Sequence, residues 1–65
     1  MIGAAFTARR ERRGLTRAET CVLAGVSHPT LRRYEAGNLR KTASDAKEKL
    51  DALNKRWTLE DYEAG

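Results

Sequence analysis

The sequence predicts an all-α domain, a compact bundle of four to five short helices. Glycines at positions 14, 25 and 37 each end a stretch of helix-forming residues, and Thr16 and Ser27, which favour helix N-caps, follow soon after the first two. Residues 46, 50, 53 and 57 are apolar at spacings of four, three and four, as on one face of a helix. Strands are not predicted, because no alternating run reaches four residues with β-branched content.

The length limits the classes of function that the chain can have. A chain of 65 residues corresponds to one small domain with a thin core, which leaves little room for a catalytic cavity. An enzyme is therefore not expected. One cysteine and one histidine exclude an internal disulfide and a zinc site of those ligands, and no metal or cofactor is expected. Because no apolar stretch approaches the roughly 20 residues of a membrane span, we expect a soluble intracellular protein.

The charge is distributed unevenly along the chain. The formal net charge is +4, with nine basic and three acidic side chains in residues 1–41 and four basic and six acidic side chains in residues 42–65. The first two-thirds of the chain therefore carries +6 and the remainder −2. A basic small domain favours a polyanionic partner, nucleic acid before an anionic membrane.

The first two helices are predicted from their end signals. Residues 2–13 place Ile2, Phe6 and Arg10 on one face, and Gly14 follows as the terminating residue. Thr16 and Glu19 have the spacing of a capping box, in which each side chain accepts a hydrogen bond from the other residue's backbone N–H. A second helix is therefore predicted over residues 17–24, ending at Gly25.

The later elements follow from the same kinds of signal. Ser27 is the predicted N-cap of a third helix over residues 28–36, where Pro29 is tolerated because the first amides of a helix have no intrahelical partner. Gly37 ends that helix, and a basic loop over residues 38–42 precedes a fourth helix over residues 45–57. Thr58 then opens either a short capped turn or an acidic tail, with Leu59 and Tyr62 available to pack.

The second and third helices together have the layout of a helix-turn-helix. A helix of about eight residues ends at Gly25, and the next helix begins three residues later. Cys21 is predicted as the small residue where the two helices cross, and Val26 and Leu31 as the apolar residues that hold them together. This arrangement leaves the N-terminal half of the third helix free to enter a DNA major groove.

The stretch RRERRGLTRAETCVLAGVSHPTLRRYEAG, residues 9–37, resembles the Cro/cI-like (XRE-type) helix-turn-helix family of phage repressors and bacterial transcriptional regulators. The positions that carry the resemblance are Arg10, Gly14, Leu15, Thr16, Gly25, Val26, Ser27, Leu31, Tyr34, Glu35 and Gly37. The resemblance implies a lambda-repressor-like fold over residues 1–57 and sequence-specific binding of a double-stranded DNA operator. It also implies a bacterial cytoplasmic location, associated with the nucleoid when bound. Residues 58–65 are then a C-terminal turn or tail, or the start of a linker in a longer regulator.

The resemblance also assigns roles to individual residues. It places His28, Pro29, Arg32 and Arg33 against base edges in the major groove. The residues that it implies for phosphate contacts are Arg17, Thr30, Asn38, Arg40 and Lys41, with Arg9 and Arg13 as weaker candidates. It pairs Arg10 with Glu35 in a structural ion pair. The residues favour the same pair independently, because Arg10 shares a face with Phe6, where an unpaired guanidinium would be costly.

The second helix departs from the family pattern at four successive positions. The family usually has a large aliphatic residue at Thr20, alanine at Cys21, and polar residues at Val22 and Leu23. Our preferred interpretation is that the helix is slightly rotated or that the fourth helix packs over it. The alternative is an exposed apolar patch that binds a protein partner. Cys21 is interpreted as a packing residue.

Other interpretations remain open at the level of the sequence. The string from Gly25 to Glu35 also resembles the MerR/excisionase type, which would add a strand pair after residue 37. A protein-interaction module, such as an antitoxin or an antirepressor target that uses Val22 and Leu23, is a further alternative. Because one recognition helix reads only about four to five base pairs, a homodimer on DNA is expected. Trp57 and Tyr62 are predicted to fill the core.

Overall fold

The computed structural model describes residues 2–64, which are all-α as predicted. The helices are α1 Ile2–Arg12, α2 Arg17–Ala24, α3 His28–Glu35 and α4 Ser44–Ala64, with a 3₁₀ turn at Leu39–Lys41. No strand occurs within residues 2–64. None of the described helices is long and apolar enough to cross a membrane. The side chain of Ile2 and the terminal Gly65, which both entered the sequence predictions, lie outside the described part.

The predicted start and end signals of α2 are present in the structure. The backbone N–H of Glu19 donates to Thr16 Oγ1 at 3.1 Å, and the backbone N–H of Thr16 donates to Glu19 Oε1 at 2.9 Å. The bond from Thr16 N holds the pKa of Glu19 below its ordinary value. Gly25 ends the helix with φ 71°, in the left-handed region that glycine adopts without a steric penalty. The capping box and the glycine stop are both confirmed.

Ser27 occupies the N-cap position of α3, but its hydroxyl does not cap the helix. Instead, Ser27 Oγ shares a hydrogen bond of 2.8 Å with Thr30 Oγ1. The prediction of Ser27 as the N-cap residue is therefore correct, although its hydroxyl pairs with the side chain of Thr30 and not with a backbone N–H of the first turn. The helix also ends at Glu35, one residue earlier than predicted.

The fourth helix is longer than the sequence predicts. Residues 58–64 continue α4 without a break, so the predicted end near Trp57 is wrong. Thr58 does not start a new turn, because its Oγ1 donates to the carbonyl of Asn54, one turn earlier, at 2.7 Å. Arg13, which directly follows α1, also binds this part of α4, at Trp57 O and at the carboxylates of Glu60 and Asp61. The role of residues 58–65 as the start of a linker stays a prediction.

The core lies around α3, which contacts α1, α2 and α4. Phe6 packs edge-on against Tyr34, with ring centroids 5.2 Å apart, and stacks on Trp57 at 5.0 Å. The buried apolar residues are Phe6, Leu31, Tyr34, Leu50 and Trp57. Tyr34 also donates its hydroxyl to Asp51 Oδ1 at 2.6 Å, which joins α3 to α4. Three sides of α3 are therefore covered, and the fourth is left to solvent.

Two apolar residues near the end of α4 do not pack as predicted. Tyr62 is 85% exposed and Leu59 is 52% exposed. The prediction that Tyr62 fills the core is therefore wrong, although the same prediction for Trp57 is correct. Tyr62 lies five residues beyond Trp57, a spacing that turns it away from the buried side of the helix.

Gly3 allows α1 to approach the end of α3 closely. Gly3 is buried, and a Cβ atom added to it would lie 2.8 Å from the carbonyl carbon of Glu35 and 2.9 Å from the backbone nitrogen of Gly37. Both neighbours are backbone atoms, which cannot rotate away as a side chain can. The sequence contains no direct signal of this contact, because Gly3 lies inside a predicted helix.

We expect the Gly3→Ala variant to be less stable than the parent, by about 1–3 kcal/mol in free energy of unfolding. Helix propensity alone predicts the opposite change in the free energy of unfolding, because it favours alanine over glycine by about 1 kcal/mol. Urea unfolding followed by circular dichroism measures the difference. The control is Ala8→Gly on the exposed side of α1, which should follow propensity and lose stability. A Gly3→Ala variant that is more stable than the parent would contradict the close approach.

Candidate nucleic-acid interface

The turn between α2 and α3 is held by backbone hydrogen bonds. The N–H groups of Gly25 and Val26 both donate to the carbonyl of Cys21, at 2.8 and 3.1 Å. On the other side of the turn, Leu31 is completely buried and Val26 packs against the same core. The two helices therefore meet in a fixed arrangement, with the buried side of α3 determined by Leu31 and Tyr34.

The predicted base-reading residues lie on the opposite side of α3. His28, Pro29, Arg32 and Arg33 are all exposed, at the helical spacing that keeps them on one face. Pro29, Arg32 and Arg33 also line a shallow hollow together with Ala36 and Asn38. The structure thus places the four residues on one exposed face of α3.

The loop after α3 contains residues that are predicted to contact phosphate, and they lie next to this surface. Asn38 shares the hollow with Arg33, and Arg40 and Lys41 follow within the exposed 3₁₀ turn. Among the ion pairs of residues 2–64, none involves Arg32, Arg33, Arg40 or Lys41. None of these four cations is therefore paired with a carboxylate of the described residues. Thr30 is half-buried, and its hydroxyl shares a hydrogen bond with Ser27 Oγ.

Arg10 and Glu35 are brought together beneath the helix-turn-helix. Arg10 Nε donates to Glu35 Oε2 at 2.7 Å, and the two side chains are only 9% and 4% exposed. Arg10 Nη1 also donates to the carbonyl of Leu15 at 2.8 Å. One guanidinium therefore connects the end of α1, the start of the segment before α2 and the end of α3.

Arg17, predicted to contact phosphate, is bound to the same carboxylate. Its Nε donates to Glu35 Oε1 at 2.9 Å, and this hydrogen bond and the charge of Glu35 raise the pKa of Arg17. The side chain is still 48% exposed. Glu35 is thus shared between two arginines, one buried and one at the surface, an arrangement that the sequence analysis did not anticipate for Arg17.

Arg9 and Arg13, the weaker candidates for phosphate contacts, are turned toward α4. Arg13 Nη2 lies 3.0 Å from Asp61 Oδ1 and 3.1 Å from Glu60 Oε1, and its guanidinium stacks over the Trp57 ring at 4.9 Å. Arg9 donates to Asn54 Oδ1 at 3.0 Å and lies 3.7 Å from Asp61. The acidic end of α4 therefore neutralises much of the basic character of α1.

The departures of α2 from the family pattern have different explanations. Thr20 is completely buried, and its hydroxyl donates to the carbonyl of Thr16 at 2.9 Å, so the polar group is satisfied in the core. Cys21 is half-buried against the core, and burial raises the pKa of its thiol. Val22 is 83% and Leu23 is 60% exposed. The preferred interpretation, in which the helix rotates or α4 covers these residues, is wrong.

The predicted base-reading residues lie on an exposed surface. Within residues 2–64, no three His, Cys, Asp or Glu side chains are grouped closely enough to hold a metal ion. The strand pair of the MerR/excisionase alternative is also missing from residues 38–64, which form a 3₁₀ turn and α4. The exposed side chains around α3 are cations, an amide, an imidazole and a proline ring. Side chains of these types can contact the base edges of a nucleic acid.

Comparison with protein families agrees with this description. The family described as Helix-turn-helix domain matches residues 2–54. The chain belongs to this family, whose members are XRE-like bacterial and phage DNA-binding domains and are typically not enzymes. Neither curated proteins nor solved structures gave a match. The family membership indicates DNA binding.

Proposed function

We propose that the chain binds double-stranded DNA sequence-specifically and regulates transcription, as a repressor or a Cro-like protein. The observation that carries the proposal is the outward face of α3, where Arg32 and Arg33 point to solvent without carboxylate partners in the described chain. The helix is short and is supported on its other three sides, so it can enter a major groove as a rigid element.

The residues around this face divide into two roles. Arg33 is assigned a bidentate contact to guanine, the commonest specific contact between an arginine and a base. His28, Pro29 and Arg32 complete the base-reading face, with Pro29 able to contact a thymine methyl group. Arg40 and Lys41 lie at the rim, where they would bind phosphates and set the register of the helix.

Three further residues are assigned contacts with DNA phosphates: Arg17, Thr30 and Asn38. Arg17 is bonded to Glu35 through Nε, which leaves its two terminal amino groups to donate to a phosphate. Binding of two copies to two half-sites, about one helical turn apart, would supply the specificity that one short helix lacks. An operator that overlaps a promoter would then be blocked sterically.

Selection of bound sequences from a random DNA pool at fixed salt tests the proposal. We expect an enriched motif in the form of an inverted repeat with half-sites spaced by one turn of DNA. A selection that enriches no motif would contradict sequence-specific binding, and an enriched single half-site would contradict binding as a dimer.

Alanine substitutions separate the two roles. We expect Arg33→Ala to lose about 1–3 kcal/mol of discrimination at one base position, with random DNA affected much less. We expect Lys41→Ala to weaken all sequences alike and to reduce the salt slope by about one. Binding isotherms on selected and random DNA at several salt concentrations measure both effects.

The matched control is Arg12→Ala, which removes the same charge from an exposed side chain that lies 3.8 Å from Asp61 at the far end of α4. We expect it to change neither discrimination nor salt slope beyond a small general effect. Equal losses on selected and random DNA for Arg33→Ala would refute its assignment to a base.

The exposure of Val22 and Leu23 favours a second candidate function, a protein-interaction module such as an antitoxin. Both side chains lie on α2, and Leu23 borders the groove between α2 and α4. The double variant Val22→Ser/Leu23→Ser tests it. Loss of a protein partner with unchanged DNA affinity would support this function, whereas unchanged partner binding would dismiss it.

A further inference from the structure

The carboxylate of Glu35, at the end of α3, is fixed by hydrogen bonds to both of its oxygens. Oε2 accepts from Arg10 Nε at 2.7 Å, and Oε1 accepts from Arg17 Nε at 2.9 Å. Arg10 is itself held by the bond that it donates to the carbonyl of Leu15. Because the Glu35 side chain is only 4% exposed, it has little room to turn. The carboxylate therefore keeps one orientation, with Oε1 directed at Arg17.

Arg17 differs from Arg10 because its guanidinium reaches the surface. Its side chain is 48% exposed, and within residues 2–64 it makes only the hydrogen bond from Nε. Its two terminal nitrogens therefore keep their N–H donors for another acceptor. The charge of Glu11 also acts on Arg17, but Glu11 is exposed and forms no ion pair within the described residues. Since Arg10 already compensates Glu35, the charge of Arg17 stays available to an anion.

Arg17 is held beside the base-reading face of α3. Arg32, which is assigned to that face, lies three residues before Glu35 and is therefore its neighbour on the surface of the helix. The bond to Glu35 thus keeps the Arg17 guanidinium at the edge of the surface that would face DNA. A helix that lies in the major groove has the phosphate backbone along its edges.

We propose that Glu35 is a positioning residue, which holds the guanidinium of Arg17 ready to bind a DNA phosphate. This role rests on the proposed DNA binding and adds a second partner to Glu35, which the family resemblance pairs only with Arg10. An unrestrained arginine loses side-chain freedom when it binds a ligand, whereas an arginine fixed at Nε has already lost much of it. Because Glu35 belongs to α3, the same bond ties the phosphate contact to the recognition helix.

A double-mutant cycle on DNA affinity tests this role. We expect Arg17→Ala in the parent chain to weaken binding of all DNA sequences by about tenfold, the effect of one charge-assisted hydrogen bond. The second background is Arg10→Met/Glu35→Leu, which removes the carboxylate together with its buried partner. There we expect Arg17→Ala to weaken binding by only about threefold or less, because Arg17 is no longer held. A purely structural role of Glu35 predicts equal losses in the two backgrounds.

Lys41→Ala is the matched control, because Lys41 is also assigned to phosphate but forms no ion pair with Glu35. We expect it to cost the same in both backgrounds. Arg17→Lys tests the same point without altering the core. Lysine keeps the charge but has a single nitrogen, so it cannot bind Glu35 and a phosphate through separate groups. We expect it to leave the salt slope unchanged and to weaken binding about threefold. Circular dichroism checks that each variant is folded.

Two results would overturn the role of Glu35. One is an Arg17→Ala loss that is as large or larger in the Arg10→Met/Glu35→Leu background, and the other is an Arg17→Lys variant that binds as tightly as the parent. If the parent binds DNA and Lys41→Ala weakens it while Arg17→Ala does not, the role of Glu35 is refuted and DNA binding stands. A parent chain that binds no DNA refutes both.

Discussion

Arg10→Ala is expected to lower the free energy of unfolding by about 3 kcal/mol, because the buried carboxylate of Glu35 loses its closest partner and keeps only the half-exposed Arg17. The same change removes the hydrogen bond from Arg10 to the carbonyl of Leu15. A domain of this length has a total stability of roughly 3–10 kcal/mol. The variant should therefore lose between about a third and all of its stability, as measured by urea titration and circular dichroism at room temperature.

Two further variants show whether the loss comes from the weakened compensation of the buried charge of Glu35. Arg17→Ala removes the other partner of Glu35, and we expect only a small loss because Arg17 is half-exposed. The double variant Arg10→Met/Glu35→Leu removes both charges of the buried pair, and we expect it to be more stable than Arg10→Ala alone. If the double variant is no better than the single one, the destabilisation does not arise from the partner that the buried carboxylate of Glu35 has lost.

Trp57→Ala is expected to cost about 3–5 kcal/mol, the usual loss for a large aromatic side chain in a core. The indole is only 4% exposed and stacks on Phe6 at 5.0 Å. It also carries the guanidinium of Arg13 on its face. Loss of the ring opens a cavity between α1 and α4. It also removes the aromatic face that the Arg13 guanidinium contacts, so packing between the two helices is lost together with the buried apolar area.

The matched control is Tyr62→Ala in the same helix. Because Tyr62 is 85% exposed, we expect little change in stability at a protein concentration where sedimentation shows a monomer. Urea unfolding of the two variants compares a buried and an exposed aromatic residue on one helix. A large loss for Tyr62→Ala at such a concentration would place Tyr62 in the core, contrary to the structure.

Much of the fold is predictable because its signals are local. The capping box of Thr16 and Glu19 and the glycine stop at Gly25 act through hydrogen bonds and dihedral angles of a few neighbouring residues. The positions of α1, α2 and α3 could therefore be derived to within one residue. The face that α3 presents to solvent also follows from local information, since the positions of Leu31 and Tyr34 determine its buried side.

Other features depend on contacts between residues that are far apart in sequence. The local sequence beyond Trp57 predicts the end of a helix. Arg13, which directly follows α1, nevertheless binds this turn at Glu60 and Asp61, 47 and 48 residues away. The same contact removes Arg13 from the basic surface that the charge distribution suggested. Gly3 is a further case, because its need for a small residue is imposed by the backbone at Glu35 and Gly37.

The local pattern of caps, glycines and apolar spacing was sufficient to establish an all-α helix-turn-helix domain and the outward residues of its third helix. Each of these properties depends on interactions over one or two turns, which a single sequence contains. Which arginines remain free to meet DNA, and which apolar residues of α2 and α4 stay uncovered, depended on how the helices pack. An arginine has the same sequence signature whether its carboxylate partner is present or absent, and only the folded chain brings that partner within reach.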